Sequence, residues 1–319
     1  MTDGRAGGSR VRTVFLGSGA FGVEPLWRLD GHPDVDLVGV VTTPPRPAGR
    51  KQQLTSTVID GHAAELAVPT ILRPERLRAP ESIAAVLALE PELLVLADYG
   101  QIVPDALLHL RYGALNLHPS LLPRHRGATP IPAAILAGDS ETGVTLMQMD
   151  AGLDTGPIVA QRRVGLDGTE TTPVLLEHLM AVADHLLDQS IGPWIRGELK
   201  PQPQASDGAT VTRPLRREDG RLDPTKSAVE LERQVRAFQP WPGSFVDTTF
   251  GRIAVWSASP GVAGDIAAGM LDERGLGVGD RERLWLVEVQ PAGGKRMPWE
   301  AFVRGHPGIV GSAALASGQ

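Results

Sequence analysis

The sequence of 319 residues contains no cysteine. This absence excludes disulfide bonds, thiol nucleophiles and cysteine-ligated zinc sites. The chain also lacks any apolar run long enough to cross a bilayer, and its polar, glycine-rich start has no apolar segment typical of a signal peptide. We therefore expect a cytoplasmic protein with no membrane partner. Its length allows two domains, and its composition, 42% hydrophobic and 21% charged, is that of ordinary globular proteins.

Acidic residues are missing from two stretches of the chain. The formal net charge of −6 argues against a protein that coats nucleic acid. Residues 37–59 nevertheless contain no Asp or Glu, while they include Arg46, Arg50 and Lys51. Residues 106–138 are also free of acids and hold three arginines and three histidines. Both stretches therefore favour a polyanionic substrate.

Three polar side chains of complementary chemistry follow strand-like runs. Alternation along residues 114–118 places Asn116 and His118 on the same face of a strand. A second strand-like run, residues 144–149, precedes a glycine-flanked loop that carries Asp154. We expect all three at the carboxyl ends of strands in one sheet. An amide that cannot titrate, an imidazole that can and a carboxylate suit a reaction in which the substrate supplies its own nucleophile.

The order of the elements predicts two domains. Strands alternate with helices over residues 11–200, which predicts an α/β catalytic domain with a Rossmann-like, mostly parallel sheet and helices on both faces. Ligands of such sheets bind beyond the carboxyl ends of the strands. Residues 201–213 are rich in Pro and Gln and form the predicted linker. Short strand patterns over residues 214–308 predict a small antiparallel, OB-like β-barrel.

A glycine-rich turn gives a rival interpretation from another class, a nucleotide-binding oxidoreductase. Gly17–Gly22 has the pattern G-x-G-x-x-G between a strand and a helix, as dinucleotide sites do. Such sites need an acidic residue at the end of the second strand, where this chain has Thr42 and Thr43. We therefore interpret the turn as part of the fold. No metal is expected either, because His178 and His185 share a helix without a carboxylate to join them.

Longer motifs surround the predicted catalytic side chains, follow the second strand and recur in the C-terminal third. They are Arg46-Pro-Ala-Gly-Arg50, Asn116-x-His118, Ser120-Leu-Leu-Pro123 with Arg124-x-Arg126-Gly127, Gly138-Asp-x-Glu-Thr-Gly143, Met147-Gln-Met-Asp-x-Gly-Leu-Asp-Thr-Gly156, Arg236-Ala-Phe-x-Pro-Trp-Pro242 and Val289-Gln-Pro-Ala-Gly293. Together they resemble the methionyl-tRNA formyltransferases, which belong to the 10-formyltetrahydrofolate-dependent formyltransferases. The similarity runs from about Val11 to about His306 and so covers both domains.

The resemblance implies a reaction and roles for the three side chains. A formyl group would pass from 10-formyltetrahydrofolate to the amino group of initiator methionyl-tRNA, for translation initiation, in a monomer with no obligate protein partner. Asn116 would donate to the formyl oxygen, and His118 would stabilise the developing oxyanion and help to protonate the leaving N10. Asp154 would hold His118 and accept the proton that the amine loses.

The resemblance also implies two groups of binding residues. The folate site would be lined by Ser120, Leu121, Leu122 and Pro123, with the backbone of Tyr99, Gly100, Gln101 and Ile102 contacting the pterin. Arg50 would reach the acceptor end of the tRNA together with Arg46 and Lys51. The loop that follows them is less basic than the family's pattern.

The same residues are compatible with other functions. A sugar-amine N-formyltransferase would keep the folate chemistry and change the acceptor, and a folate hydrolase would replace the amine by water. The motifs of the C-terminal domain favour the tRNA as acceptor. A non-catalytic RNA-binding module would use the barrel alone, but it would not require Asn116, His118 and Asp154.

Overall fold

The computed structural model describes residues 10–48, 52–261, 264, 266–279 and 281–315. The chain divides into two compact units. One comprises the chain up to Pro130, Thr142–Val164 and Leu176–Thr212, and the other comprises Ile131–Glu141, Gly165–Leu175 and the chain from Arg213 onward. Within the described ranges, no helix is both long enough and apolar enough to span a membrane.

Short strands and helices alternate along the chain as far as Thr212. The strands are β1 Val11–Gly17, β2 Val35–Val41, β3 Arg46–Ala48, β4 Gln53–Thr55, β5 Ile71–Leu72, β6 Leu93–Ala97, β7 Ala114–His118, β8 Arg126–Gly127, β9 Glu141–Gln148, β10 Ile158–Gly165 and β11 Val211–Thr212. The helices are α1 Val23–Gly31, α2 Val58–Glu65, α3 Pro80–Leu87, α4 Pro130–Ala137 and α5 Thr172–Ile195. Single 3₁₀ turns lie at Ala20–Gly22 and Asp105–Leu107.

Seven of these strands form the central sheet, in the order β10-β9-β7-β6-β1-β2-β5. The ladders from β7 to β5 are all parallel. β6 is buried along its whole length, and β1 and β2 are buried at all but one position each. Such continuous apolar runs are typical of parallel strands that are covered on both faces. The predicted Rossmann-like, mostly parallel sheet is therefore confirmed.

β9 departs from the parallel arrangement. It pairs antiparallel with β7, so that Leu115 lies opposite Gln148 and His118 lies opposite Thr145. The carboxyl end of β9 is therefore at the edge of the sheet opposite to His118. The expectation that Asp154 follows a strand end at the shared carboxyl edge is wrong for this reason.

From Arg213 onward, the described residues of the second unit form an antiparallel sheet and two further α-helices. After the 3₁₀ turn Arg217–Gly220 come α6 Ala228–Ala237, β12 Ser244–Thr248, β13 Gly251–Gly261, β14 Gly275–Val278, β15 Glu282–Pro291, β16 Met297–Pro298, α7 Trp299–Gly305 and the 3₁₀ turn Pro307–Ile309. The strands pair in the order β12-β13-β15-β14, with β16 added to β15. The sequence predicted a small antiparallel, OB-like domain in this part of the chain, and the antiparallel sheet confirms that fold class.

The core of the second unit forms between this sheet and its helices. α6 begins as predicted with a capping box, in which the Ser227 hydroxyl accepts from the Glu230 N–H and the Glu230 carboxylate accepts from the Ser227 N–H. Its buried face includes Leu231 and Val235. Trp299 is 1% exposed and stacks on Phe302 with ring centroids 5.5 Å apart.

The segment predicted as the linker, residues 201–213, belongs to the first unit as far as Thr212 and forms backbone pairs within it. Gln202 bridges Ile158 at the start of β10, and β11 pairs in parallel with β8. These contacts bring the segment beside the loop that follows β7. Its side chains therefore lie beside the candidate site.

Candidate active site

Asn116 and His118 lie on the same face of β7, as the alternation predicted. β6 and β9 flank this strand, with Leu96 and Met147 opposite Asn116. The Asn116 side chain is half-buried and, among the described residues, has no hydrogen-bond partner. Its amide is therefore available to a ligand as both a donor and an acceptor.

His118 is 5% exposed, and both of its ring nitrogens face polar groups. Nε2 lies 2.9 Å from the carbonyl oxygen of His125. Because a carbonyl oxygen only accepts, Nε2 carries a proton and donates it there. Nδ1 lies 3.7 Å from Oδ2 of Asp154, which is ion-pair range and longer than a hydrogen bond.

The charge state of His118 follows from its burial. Burial lowers the pKa of His118 below the ordinary imidazole value, and the nearby Asp154 carboxylate opposes this effect without cancelling it. The ring is therefore neutral near pH 7, with its lone pair on Nδ1 directed towards a carboxylate. This arrangement accepts a proton, because the imidazolium that forms would be stabilised by Asp154.

Asp154 reaches this position through the hairpin between β9 and β10. Its backbone is left-handed, with φ of +51°. The Gly127 N–H donates to Asp154 Oδ2 over 2.7 Å, which ties the hairpin to the loop after β7. Within the hairpin, the Asp150 carboxylate accepts from the Gly152 N–H and from the Thr155 hydroxyl. The hairpin thus returns Asp154 to His118, although β9 itself ends at the other edge of the sheet.

The loop Ser120–Pro123 is anchored in the interior. The Ser120 hydroxyl donates to the Arg124 carbonyl oxygen over 2.6 Å, and the Ser120 carbonyl oxygen accepts from the Thr145 hydroxyl. Ser120 and Leu122 are 0% and 3% exposed, whereas Leu121 and Pro123 are half-buried. Ser120 and Leu122 therefore present almost no surface to a ligand, and the Leu122 N–H and carbonyl oxygen are hydrogen-bonded to Thr145 and Gln161. Folate binding by these four residues stays a prediction.

The segment after β6 combines internal contacts with exposed backbone. The Gln101 amide accepts from the Leu77 N–H and donates to the Pro74 carbonyl oxygen. Tyr99 is half-buried, and burial raises the pKa of its phenol. Gly100 is exposed and Ile102 is 75% exposed. Gly100 and Ile102 thus remain accessible, and the contact of the backbone of Tyr99, Gly100, Gln101 and Ile102 with the pterin stays a prediction.

Of the three basic residues predicted to bind tRNA, the structure describes only Arg46. It lies in β3, is exposed, and forms an ion pair with Glu75 at 2.8 Å. Arg50 and Lys51 lie outside the described residues. In the part of the chain that is described, no group of three or more His, Asp or Glu side chains is arranged to hold a metal ion.

The glycine-rich turn packs against β6. A Cβ at Gly17 or Gly22 would lie 2.9 Å from the carbonyl oxygen of Ala97, which is too close for a carbon–oxygen contact of this kind. The Asp98 carboxylate covers Gly19 and accepts from the Phe21 N–H. A carboxylate thus occupies the turn where a dinucleotide enzyme would bind its pyrophosphate. This arrangement argues against the oxidoreductase alternative and explains why the turn needs glycine.

Comparison with known proteins identifies the family. The protein-family model for formyl transferases matches residues 11–190, and the family model for the formyl transferase C-terminal domain matches residues 214–307. The methionyl-tRNA formyltransferase of Roseiflexus sp. (strain RS-1) is 41% identical over 306 residues, which are 92% of this chain and 92% of that protein. The chain belongs to the methionyl-tRNA formyltransferase family.

Other relatives of this formyltransferase extend the comparison. The methionyl-tRNA formyltransferase of Myxococcus xanthus (strain DK1622) is 40% identical over 316 residues, which are 97% of this chain and 100% of that protein. Among solved structures, an N-formyltransferase from Helicobacter canadensis in complex with folinic acid and dTDP-3-aminofucose aligns with a TM-score of 0.61 at 17% identity. That alignment covers 86% of this chain and 98% of the other, and it shows a shared fold.

The candidate site includes residues that the sequence did not indicate. His125 supplies the carbonyl oxygen that holds His118, and Gln204 and Thr210 contact the loops that carry the site. His125 lies inside the motif Arg124-x-Arg126-Gly127, and this position is the one sequence signal for its role. Gln204 and Thr210 lie in a Pro- and Gln-rich stretch with no periodicity, and so no local pattern distinguishes them.

Proposed function

We propose that this chain transfers a formyl group from 10-formyltetrahydrofolate to the amino group of initiator methionyl-tRNA. The observation that carries the proposal is the arrangement of three side chains: the unpaired Asn116 amide, the buried His118 ring and the Asp154 carboxylate 3.7 Å from its Nδ1. The relatives that bear the name methionyl-tRNA formyltransferase, at about 40% identity over both domains, support the choice of acceptor.

The three side chains suit the steps of formyl transfer. The amine attacks the formyl carbon, and negative charge develops on the formyl oxygen. Asn116 donates its amide N–H to that oxygen, since it has no protein partner to give up among the described residues. We assign the oxyanion to Asn116 in place of His118, because the proton on His118 Nε2 is held by the carbonyl oxygen of His125.

His118 and Asp154 then move one proton. As the new C–N bond forms, His118 Nδ1 accepts the proton that the attacking nitrogen loses, and Asp154 stabilises the resulting imidazolium. The same proton passes to N10 as the bond between N10 and the formyl carbon breaks. The products are the formylated amine and tetrahydrofolate, and the enzyme returns to its starting state.

Two features of the chain support the assignment of folate and tRNA as its substrates. The exposed residues Gly100 and Ile102 follow β6, which lies next to β7 in the sheet, and we assign the contact with the folate to main-chain groups there. A solved structural neighbour is described as bound to folinic acid, a formyl folate. For tRNA, the acid-free residues 37–59 include the exposed Arg46 together with Arg50 and Lys51. We also propose that the enzyme acts in the cytoplasm as a monomer.

The proposal is tested by offering two acceptors to the purified protein. Formyl transfer from 10-formyltetrahydrofolate is measured with charged initiator methionyl-tRNA and, separately, with a dTDP-linked amino sugar. We expect transfer to the tRNA alone. Transfer to the sugar alone would retain the folate chemistry and refute the acceptor, and release of free formate in place of transfer would indicate a hydrolase.

A further inference from the structure

The connector, defined here as residues 202–212, contacts both loops of the candidate site. The Thr210 hydroxyl accepts from the His125 N–H over 2.8 Å, next to the carbonyl oxygen that holds His118. The Thr212 hydroxyl donates to the Arg126 carbonyl oxygen over 2.9 Å. Gly127, with φ of +95°, lies so close to the Thr212 carbonyl oxygen that a Cβ would collide with it. The loop after β7 is therefore fitted closely to the connector.

Gln204 is the connector residue that joins the two loops to each other. Its Nε2 donates to the carbonyl oxygens of Asp154 and Gly156, each over 2.8 Å. Its Oε1 accepts from Nε and Nη2 of Arg126 at 3.1 and 2.7 Å. One half-buried amide thus uses both donor protons on the Asp154 hairpin and its oxygen on the loop after β7.

We propose that Gln204 is a positioning residue that sets the Asp154 carboxylate against His118. Asp154 is in a left-handed backbone conformation, which a non-glycine residue keeps only where its surroundings hold it. Its side chain is fixed by the Gly127 N–H, and its own carbonyl oxygen is fixed by Gln204. Among the described residues, Gln204 and the Gly127 N–H make the hydrogen bonds that tie the tip of the hairpin, residues 150–156, to the rest of the first unit, so loss of Gln204 would leave the Gly127 N–H alone in this role. The inference rests on the proposed function.

The substitution Gln204→Met tests this role, because it keeps the length of the side chain and removes all four hydrogen bonds. We expect kcat for formyl transfer to fall about 10- to 100-fold, since misplacing a catalytic group by about 1 Å has effects of this size. The KM values for folate and tRNA should stay within about twofold, because Gln204 is assigned no substrate contact. Gln202→Met is the matched control: among the described residues, the Gln202 side chain donates to the Lys200 carbonyl oxygen alone, and we expect wild-type kcat.

A double-mutant cycle separates positioning from a general loss of structure. If Gln204 acts through Asp154, Gln204→Met should cause little further loss of kcat in an Asp154→Asn background. Gln204→Glu retains an acceptor for Arg126 and loses both N–H donors, so it should reproduce the loss of kcat even if the Met variant folds poorly. Wild-type kcat in the Glu variant, or losses that multiply fully in the double mutant, would overturn the proposal.

The same experiment distinguishes this inference from the proposed function. A wild-type protein that transfers no formyl group to methionyl-tRNA would overturn both. An active wild-type protein whose Gln204 variants keep their kcat would overturn the positioning role alone.

Discussion

Asn116→Ala should abolish most turnover without affecting the fold. The Asn116 amide is half-buried and makes no hydrogen bond to any other residue that the structure describes, so its removal leaves no buried group unpaired. The change in the free energy of unfolding should stay within about 0.5 kcal/mol. The catalytic effect should be large, because removal of one oxyanion donor typically costs about 100- to 1000-fold in kcat, or roughly 3–4 kcal/mol of transition-state stabilisation.

The assay is single-turnover formyl transfer at saturating substrates, together with folate affinity and thermal unfolding of the same variant. Folate affinity should be nearly unchanged, because the donor acts mainly on the charge that develops in the transition state. Asn116→Asp is the isosteric control. Asn116→Asp keeps the shape of the side chain, removes the N–H donor and adds negative charge. Its kcat should therefore fall at least as much as that of Asn116→Ala. A decrease below about tenfold in Asn116→Ala, or a loss of folate affinity equal to the loss of rate, would refute the assignment.

Three further predictions concern the site and the two cores. In NMR titrations the His118 ring should titrate below pH 6.5, because burial lowers its pKa. In Asp154→Asn the pKa of His118 should be lower still, because the Asp154 carboxylate raises that pKa in the wild-type protein. A midpoint above 6.5 in the wild-type protein would contradict this prediction. In denaturant unfolding, Gly143→Ala should lower the free energy of unfolding by about 1–3 kcal/mol, since a Cβ there would collide with the Arg162 carbonyl oxygen. Gly165→Ala is the control, because a Cβ at Gly165 would meet no other atom, and we expect no such loss of stability. Trp299→Ala should cost about 3–5 kcal/mol in denaturant unfolding, far more than Trp241→Ala at a position that is 57% exposed.

Local patterns were sufficient for much of the first unit. The apolar runs of β1 and β6 and the alternation of β7 predicted the strands and the shared face of Asn116 and His118. The capping box of α6 was also predicted from its own residues. In each case the signal and the structure lie within a few residues of each other, so periodicity or a cap is enough to detect them.

The position of Asp154 could not be derived in this way. The sequence gives β9 as an apolar run, but its direction depends on pairing with β7, about thirty residues earlier in the chain. Asp154 was identified correctly as a neighbour of His118, although for the wrong geometric reason, because a hairpin returns it to the site. Nor does the sequence show that Asn116, in place of His118, faces the oxyanion, because the contact of His118 with the His125 carbonyl oxygen has no local sequence signal.

The contacts of the connector were missed for a similar reason. A stretch rich in Pro and Gln predicts a linker, and Gln204 and Thr210 show no pattern that distinguishes them from its other polar residues. Their partners are 50 and 85 residues away along the chain. Hydrogen bonds between such distant polar groups have no periodicity, and only the folded structure identifies them.

The central claim is that Asn116, His118 and Asp154 carry out formyl transfer to methionyl-tRNA. The most direct measurement follows a labelled formyl group from 10-formyltetrahydrofolate to charged initiator methionyl-tRNA, comparing the wild-type protein with Asp154→Asn under single-turnover conditions. We expect rapid transfer by the wild-type protein and almost none by the variant, with folate binding retained in both. Equal transfer rates in the two proteins would contradict the account.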